Sequence, residues 1–493
     1  MIIETSEISQ KLENLLEELS NSENLVNPFF RISKGTPEQI SKYSFLNTKF
    51  LRATALIQFV IGLFTGVLTL IFMVICSLML VKQYNLFKLQ NRQRQVVFVS
   101  HGIGQNITRK DSDQFFWKMP EYLQNEGKKV LIIYTNHNVF RFRSNSKSIQ
   151  LKSSDIERLL IPKFLHPSEN LTYLKKISIL SFKSFVLGIS KIRREPIASA
   201  LLLKATTLFL KRGAYSNYLL SLRVTNIAVM NGIETIVLTF EGHSYEQLII
   251  DKILKGSPKK RILLYQHSPI VKDHYGISAF LRSTDHSLHI ATTGIHYKEV
   301  FTKLCNKHFI EVLGSDKSNV NEIGPILSQT PNLLFVPEGT TYATKNMLNL
   351  VSRMIKEEMR YSYILRLHPN LKIGFTLYWR INKLKLHKNV VVSTSKLHED
   401  LALAKYVIYR SSAVGIESLK SSAIPVFYGS KRYSGLNVLG HQDSIYPSLF
   451  SISDAIKFFK HPSIHIQSNH KDEIFNELFE NINYKKLNTF LNL

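Results

Sequence analysis

The stretch TIVLTFEGHSYEQLIIDKILKGSPKKRILLYQHS, residues 235–268, decides the fold. It opens on an apolar, β-branched run of the length of a buried strand, which ends in Glu241-Gly242-His243. Residues 244–254 then read as a helix, and a second apolar run ends in Gln266-His267-Ser268. Strand, loop, helix and strand in this compass predict a βαβ unit and hence a parallel sheet.

The pattern continues in both directions. QVVFVSHG (95–102), KVLIIYTNHN (129–138) and HIATTGIH (289–296) read as further strands, with helices at 194–212 and 216–231. A second series follows: NLLFVPEGT (332–340), YILRLHPN (363–370), NVVVSTS (389–395), YVIYRSS (406–412) and IPVFYGS (424–430), separated by helices around 344–360, 397–404 and 413–421. Two such series, joined near 315–331, predict an α/β protein of two facing Rossmann-like domains, 95–320 and 330–470, with a helical tail over 471–493. Ligands of open α/β sheets bind beyond the carboxyl ends of the strands, so two facing sheets make a cleft lined by loops from both.

Ahead of the sheets, no residue from Ala53 to Val81 carries a charge, and the run contains IQFVIGLFTGVLTLIFMVICSLMLV. About 20 apolar residues span a bilayer, so 53–81 is long enough for a transmembrane helix, and it starts too far along the chain for an ordinary signal peptide. A buried core helix is the alternative. Gly62 and Gly66 form a small-xxx-small pair suited to helix pairing. Lys82, Lys88, Arg92 and Arg94 follow the span, against Lys42, Lys49 and Arg52 before it. The slight excess predicts a single-pass protein of the inner (cytoplasmic) membrane with its large part cytoplasmic; a lumenal enzyme is the opposite orientation. Within 1–52, Ile8, Leu12, Leu15, Leu16 and Leu19 recur at helical spacing. They predict an amphipathic helix that serves either self-association or another partner, or else covers this protein's own surface.

Composition narrows the class. At 493 residues the chain is long enough for two or three domains, and 44% hydrophobic with 20% charged residues excludes a disordered chain. Lys and Arg outnumber Asp and Glu by 63 to 37, a net charge of +26 that draws the surface to anions. No basic stripe with interleaved aromatics is present, so nucleic acid is not an expected partner. Cys76 and Cys305, the two cysteines, lie far apart in different segments; they form no disulfide framework and suit a reducing compartment.

The polar residues that carry chemistry each follow an apolar strand: Glu241-Gly242-His243, Gln266-His267, Pro337-Glu338-Gly339, Arg366-Leu367-His368-Pro369 and Arg410-Ser411-Ser412. A carboxylate can take a proton from an attacking hydroxyl, and Glu241, beside a glycine that permits close approach, is the first candidate. Groups that neutralise a leaving phosphate lower the barrier. His368 and Arg366, on a turn stiffened by Pro369, suit that role, as do Ser411 and Ser412 ahead of the helix that contains Glu417. Glu338 and Gly339 join this phosphate-side group, and Glu417 is placed either to hold a ribose hydroxyl or to face solvent. His101, Gly102 and Gly104, in HGIGQN, with His243, Gln266 and His267, form an acceptor-side group. Which of Glu241, His243, His267 and Glu338 is the base stays open. Taken singly, His-Pro is a common loop and Ser-Ser a common helix cap; it is their order, each at a strand end, that points to one site. There is no Walker loop, no zinc-type spacing and no GxSxG elbow.

Glu241-Gly242, Arg366-Leu367-His368-Pro369 and Ser411-Ser412 together resemble the acidic-Gly, His-Pro and Ser-Ser/Thr motifs of bacterial sialyltransferases and polysialyltransferases. FEGHSYEQ with YQHS is also similar to a broader set of bacterial surface-carbohydrate biosynthesis proteins, of capsule or lipopolysaccharide type. The resemblance covers roughly 95–440 and implies the two-domain GT-B fold and a nucleotide-sugar donor, CMP-linked donors among them, without metal or further cofactor. It implies Glu241 as base, His368 as phosphate partner and Ser411 and Ser412 as phosphate ligands, with a glycan or lipid-linked glycan as acceptor. Phe240 departs from the sialyltransferase motif, which has a second acid there. Nucleotide-sugar 2-epimerases and glycerol-phosphate polymerases, which use a CDP-alcohol, also resemble this pattern; a non-catalytic membrane scaffold is the third alternative.

Overall fold

The computed structural model describes residues 48–79, 95–102, 113–136, 156–161, 165–210, 212–229, 233–257, 259–271, 277, 280–281, 284, 286–319, 323–326, 331–357, 360–368, 371, 373–429, 436–442, 444–462 and 468–492. The amphipathic helix expected over residues 8–19, Gly104 and Pro369 lie outside the described residues.

Among the described residues, seven strands make the first sheet: β1 (Val96–Gly102), β2 (Val130–Asn136), β3 (Glu157–Leu160), β4 (Thr235–Thr239), β5 (Arg261–Tyr265), β6 (His289–Thr292) and β7 (Phe309–Val312). Their order is β3-β2-β1-β4-β5-β6-β7, with every pairing parallel. Six of the described strands make the second: β8 (Asn332–Val336), β9 (Ser362–Leu365), β10 (Val390–Val392), β11 (Ala404–Tyr409), β12 (Ile424–Tyr428) and β13 (Ser448–Leu449). These too are all parallel, in the order β10-β9-β8-β11-β12-β13. Two doubly wound α/β units are therefore present, as the strand runs predict; β3, β7 and β13 are additional to the strands read from the sequence.

Side chains of a strand alternate between faces, and parallel sheets must be covered on both. In β1, Val97 and Val99 enter one core with Leu131 and Ile133, while Val96 and Phe98 enter another with Val130 and Ile132. The helices of this unit are α1 (Thr48–Met79), α2 (Met119–Asn125), α3 (Pro167–Lys191), α4 (Pro196–Phe209), α5 (Arg212–Ala228), α6 (Ser244–Gly256) and α7 (Ile295–Leu304). All but α2 contribute to the first core, and α2 supplies Met119 and Leu123 to the second. Around the second sheet lie α8 (Thr341–Lys356), α9 (Phe375–Lys385), α10 (Leu397–Leu403), α11 (Val414–Glu417) and α12 (Ile452–Lys460). The chain then returns through α13 (Ser468–Leu478) and α14 (Tyr484–Asn492). Here Glu480 donates its N–H to the Thr293 carbonyl at 2.8 Å, and α14 packs on β5 with Leu487, Phe490 and Leu491 in the second core. Residues 471–492 of the tail thus pack on the first sheet.

The units meet through carboxyl-end loops. His296, in the first turn of α7, stacks on His441 at 4.0 Å between ring centroids. Ile416, Leu419, Val438 and Leu439 share the apolar cluster of α7 and α13.

The apolar run forms one helix, α1, and its segment Phe59–Cys76 is long and apolar enough to cross a membrane, by length and composition. It does not stand clear of the protein. A Cβ at Gly62 would fall 2.7 Å from the Thr207 side chain, and one at Gly66 would fall 2.6 Å from Leu210 Cβ, so the small-residue pair seats α1 against α4 and Leu210 of the same chain. Met73 and Cys76 are buried, whereas only 22% of the segment is covered, so the buried-helix alternative holds for one edge alone.

Candidate functional site

In a doubly wound sheet the crevice forms where successive connections diverge to opposite sides. In the first sheet that point lies between β1 and β4, and in the second between β8 and β11. The polar residues singled out in the sequence collect around these two places.

Glu241 follows β4. The backbone turns at Gly242 with φ +72, a left-handed conformation that glycine adopts without steric cost. The turn brings His243 back, and its Nε2 lies 2.9 Å from Glu241 Oε2. From the end of β5, His267 sets its Nε2 3.4 Å from Glu241 Oε1. The carboxylate is thus held between two imidazoles with little exposure. Among the candidates for the base, Glu241 is the one both flanking histidines address.

Beneath this turn sits Glu246, which the sequence reading did not select. Its buried carboxylate accepts N–H bonds from Glu241, at 3.1 Å, and from His243, at 2.8 Å. Burial pushes its pKa up to about 7, with His243 and the two amide bonds opposing the rise. The signal was present: Glu246 stands at the third position of α6, where a carboxylate reaches back to the preceding loop. Asp113 plays a comparable part opposite. It is buried, accepts from Ser100 at 2.8 Å and from the amides of Phe115 and Phe116 at 2.7 and 2.9 Å, and so fixes Phe115 edge-on to His267.

His101, near the end of β1, is buried between hydroxyls of the adjacent strands. Its Nδ1 lies 3.2 Å from Thr135 Oγ1 and its Nε2 3.1 Å from Thr239 Oγ1. Both ring nitrogens are engaged, so this residue ties β2 and β4 to β1, with its ring centre 6.4 Å from that of His243 and 6.2 Å from that of His267, and Gly102 closes the strand beside it. Gln266 is likewise committed: its Nε2 donates to the Ser268 carbonyl at 2.6 Å, and its Oε1 accepts the Thr293 N–H at 3.0 Å. It ties β5 to β6.

On the second sheet, Glu338 and Gly339 follow β8, and His368 follows β9. A Cβ at Gly339 would fall 2.8 Å from His368 Nδ1, so the ring lies directly on this glycine. Thr340 caps α8 by accepting the Ala343 N–H at 3.2 Å and donates to Glu338 Oε1 at 3.0 Å. Arg410, buried at the end of β11, lies 3.7 Å from Glu338 Oε1 with its guanidinium 5.5 Å from the Tyr342 ring centre. Ser411 has φ +45, an uncommon conformation for a residue with a Cβ. Such strain collects at functional sites. Ser412 Oγ accepts the Val414 N–H at 3.3 Å, and the helix behind it, α11, is only four residues long.

Two phosphate-side candidates have partners of their own. Arg366 Nη1 donates to Asp400 Oδ2 at 2.7 Å and to the Ser395 carbonyl at 2.8 Å, which draws it towards the β10 edge. Glu417 lies 3.7 Å from Lys317. The sheets therefore gather Glu241, His243 and His267 at one switch point, and Glu338, Gly339, His368, Arg410 and Ser411 at the other. Among the described residues, no group of three or more His, Cys, Asp or Glu is arranged to hold a metal ion.

No protein-family model matches the chain, and no curated protein matches it. Several solved structures are similar to it. The lipopolysaccharide outer core galactosyltransferase WaaB, in its apo form, has 10% identity over 80% of this chain and 99% of its own, with a TM-score of 0.44. The UDP-GlcNAc 2-epimerase of Methanocaldococcus jannaschii, in complex with UDP-GlcNAc and UDP, has 11% identity over 81% and 99%, with a TM-score of 0.47. S. aureus MnaA bound to UDP has 8% identity over 81% and 97%, also with a TM-score of 0.47.

Proposed function

We propose that this chain is a membrane-associated glycosyltransferase that moves a sugar from a nucleotide-sugar donor to a hydroxyl of a surface glycan or a lipid-linked glycan. The observation that carries the reading is the carboxylate of Glu241, held between His243 and His267 at the switch point of the first sheet. The acceptor hydroxyl attacks the anomeric carbon and gives its proton to Glu241. A new glycosidic C–O bond forms as the bond from that carbon to the donor phosphate breaks, and the nucleotide leaves with the electron pair. His368, Ser411, Ser412 and Arg410 take the developing phosphate charge. The donor supplies the only activated group, so no further cofactor enters the reaction. The basic flank of the apolar helix supports a cytoplasmic site.

Full-length protein in detergent, titrated with CMP-, UDP-, GDP- and CDP-linked donors, tests this. Glu241→Gln is expected to keep donor binding and to lose about 100-fold or more in turnover, the usual worth of a positioned base; His368→Ala is expected to weaken donor binding. Interconversion of the free nucleotide-sugar without acceptor would replace transfer by epimerisation. No binding of any nucleotide by folded protein would end the enzyme reading.

A further inference from the structure

Helix α3 has two unlike sides. Tyr173, Ile177, Leu180 and Gly188 are buried. On the other side Ile179, Phe182, Val186 and Ile189 are exposed, spaced three or four residues apart, so they form one stripe along the helix. Lys175, Lys183, Arg193 and Arg194 are exposed along and beyond the same stripe. A soluble helix turns its apolar stripe inward; this one has an apolar stripe on each side, and the outer one is edged with positive charge.

The neighbour of this stripe is α1. Its bare side carries Ile57, Val60, Phe64, Val67, Ile71 and Ile75, all exposed. Phe59 of α1 stacks on Phe185 of α3 with ring centroids 5.2 Å apart. Both helices are seated on α4: α1 through Gly62, and α3 through Gly188, where a Cβ would meet Leu203 at 3.1 Å. The Ser181 hydroxyl donates to the Thr206 carbonyl at 3.1 Å and reinforces the second seat. The two bare rows are thus locked side by side on one domain, and an apolar surface of this extent marks an interaction site.

Building on the membrane association proposed above, we propose that this chain meets the bilayer through a two-helix face, the bare side of α1 together with the outer stripe of α3, and not through α1 as a lone span. The occupant is an anionic lipid surface. Apolar residues flanked by lysine and arginine on one amphipathic helix are the chemistry that settles at the boundary of headgroups and acyl chains. The chain's charge of +26 favours the same partner. The fixed seats on α4 then set how the first domain, and the Glu241 turn with it, is oriented to the membrane.

The test uses the full chain reconstituted into vesicles of phosphatidylcholine and phosphatidylglycerol that contain brominated lipid. Single fluorophores are placed at Phe182→Cys, Val186→Cys, Phe64→Cys and Leu386→Cys, in a background lacking Cys76 and Cys305; Leu386 is an exposed residue of the second domain. Quenching at 182 and 186 comparable to that at 64, with none at 386, is expected. Quenching at 64 alone would overturn the two-helix face and leave α1 as the anchor. Quenching at none of them would overturn the membrane reading while leaving donor binding untouched. A label at 182 shielded from aqueous reagent but not quenched by lipid would mean that a second copy covers the stripe, and the proposal would fall. Lys175→Glu with Lys183→Glu, both on the surface, is expected to cut quenching at 182 several-fold without altering the folded signal; unchanged quenching would overturn the role of the charges.

Discussion

Replacing Glu246 by glutamine tests whether a buried carboxylate holds the loop that presents Glu241. The residue is fully buried and binds the N–H groups of Glu241 and His243. Burial raises its pKa to about 7 from 4.5. Between those two values the folded chain keeps a proton that the unfolded chain has released. A raised pKa of this kind gives stability that is fully present below pH 4.5 and is lost as pH rises through 7. The shift corresponds to about 3 kcal/mol, which is roughly 6–12 °C in Tm for a domain of a few hundred residues. Glutamine has the same shape, keeps one acceptor oxygen and does not titrate. Tm is measured for both proteins in detergent from pH 4.5 to 8.5. The wild type is expected to lose ground against Glu246→Gln across that range by an amount of that order. Parallel curves would refute the argument, since they would mean that the carboxylate is as well solvated in the folded state as in the unfolded one.

Two further outcomes follow from the second sheet and the contact between the units. Ser411→Gly removes a left-handed penalty of about 1–2 kcal/mol against about 0.5–1 kcal/mol of added chain entropy; a small rise in Tm together with weaker donor binding is expected, and a fall in Tm would show that the hydroxyl holds the turn. The pKa of His441 is lowered to about 4 by burial and by His296, and that of His296 is lowered by burial and Lys303 against the pull of Glu299. The stability that the neutral stack contributes is therefore complete above about pH 6.5 and is lost as pH falls through about 4, where His441 takes up a proton in the folded chain, so energy transfer between labels at Val229 and Leu386 is expected to change as pH approaches that value. His296→Asn with His441→Asn should abolish the change, and persistence of the full response would place its origin elsewhere.

The fold was legible because each strand core is an apolar run that stops at polar residues, as TIVLTF stops at Glu241 and YVIY at Arg410. β3 was not legible, because Arg158 interrupts it; that side chain is fully buried, 3.2 Å from the Tyr134 hydroxyl and 3.6 Å from Glu121, and only the folded chain supplies those partners. α3 escaped notice for a different reason: apolar residues on two of its sides blur the helical period. In the site, the residues at strand ends are legible from their type and position. What position does not reveal is the direction of each side chain. Arg366 belongs to the same four-residue motif as His368, yet Asp400 draws it towards the β10 edge. Thr135 and Thr239, which hold His101, are ordinary strand residues until the pairing places Thr135 opposite it.

The return of the chain to its first sheet has a consequence for biosynthesis. Leu487, Phe490 and Leu491 join the core that holds Leu263 of β5, about 225 residues earlier in the chain, and α14 packs on β5. At translation rates of about 5–20 residues per second, that face of β5 waits roughly 10–45 s for this cover. Through that interval the nascent first domain carries a ready binding surface for chaperones, while the second sheet, whose strands all lie between, can finish on the ribosome before the first.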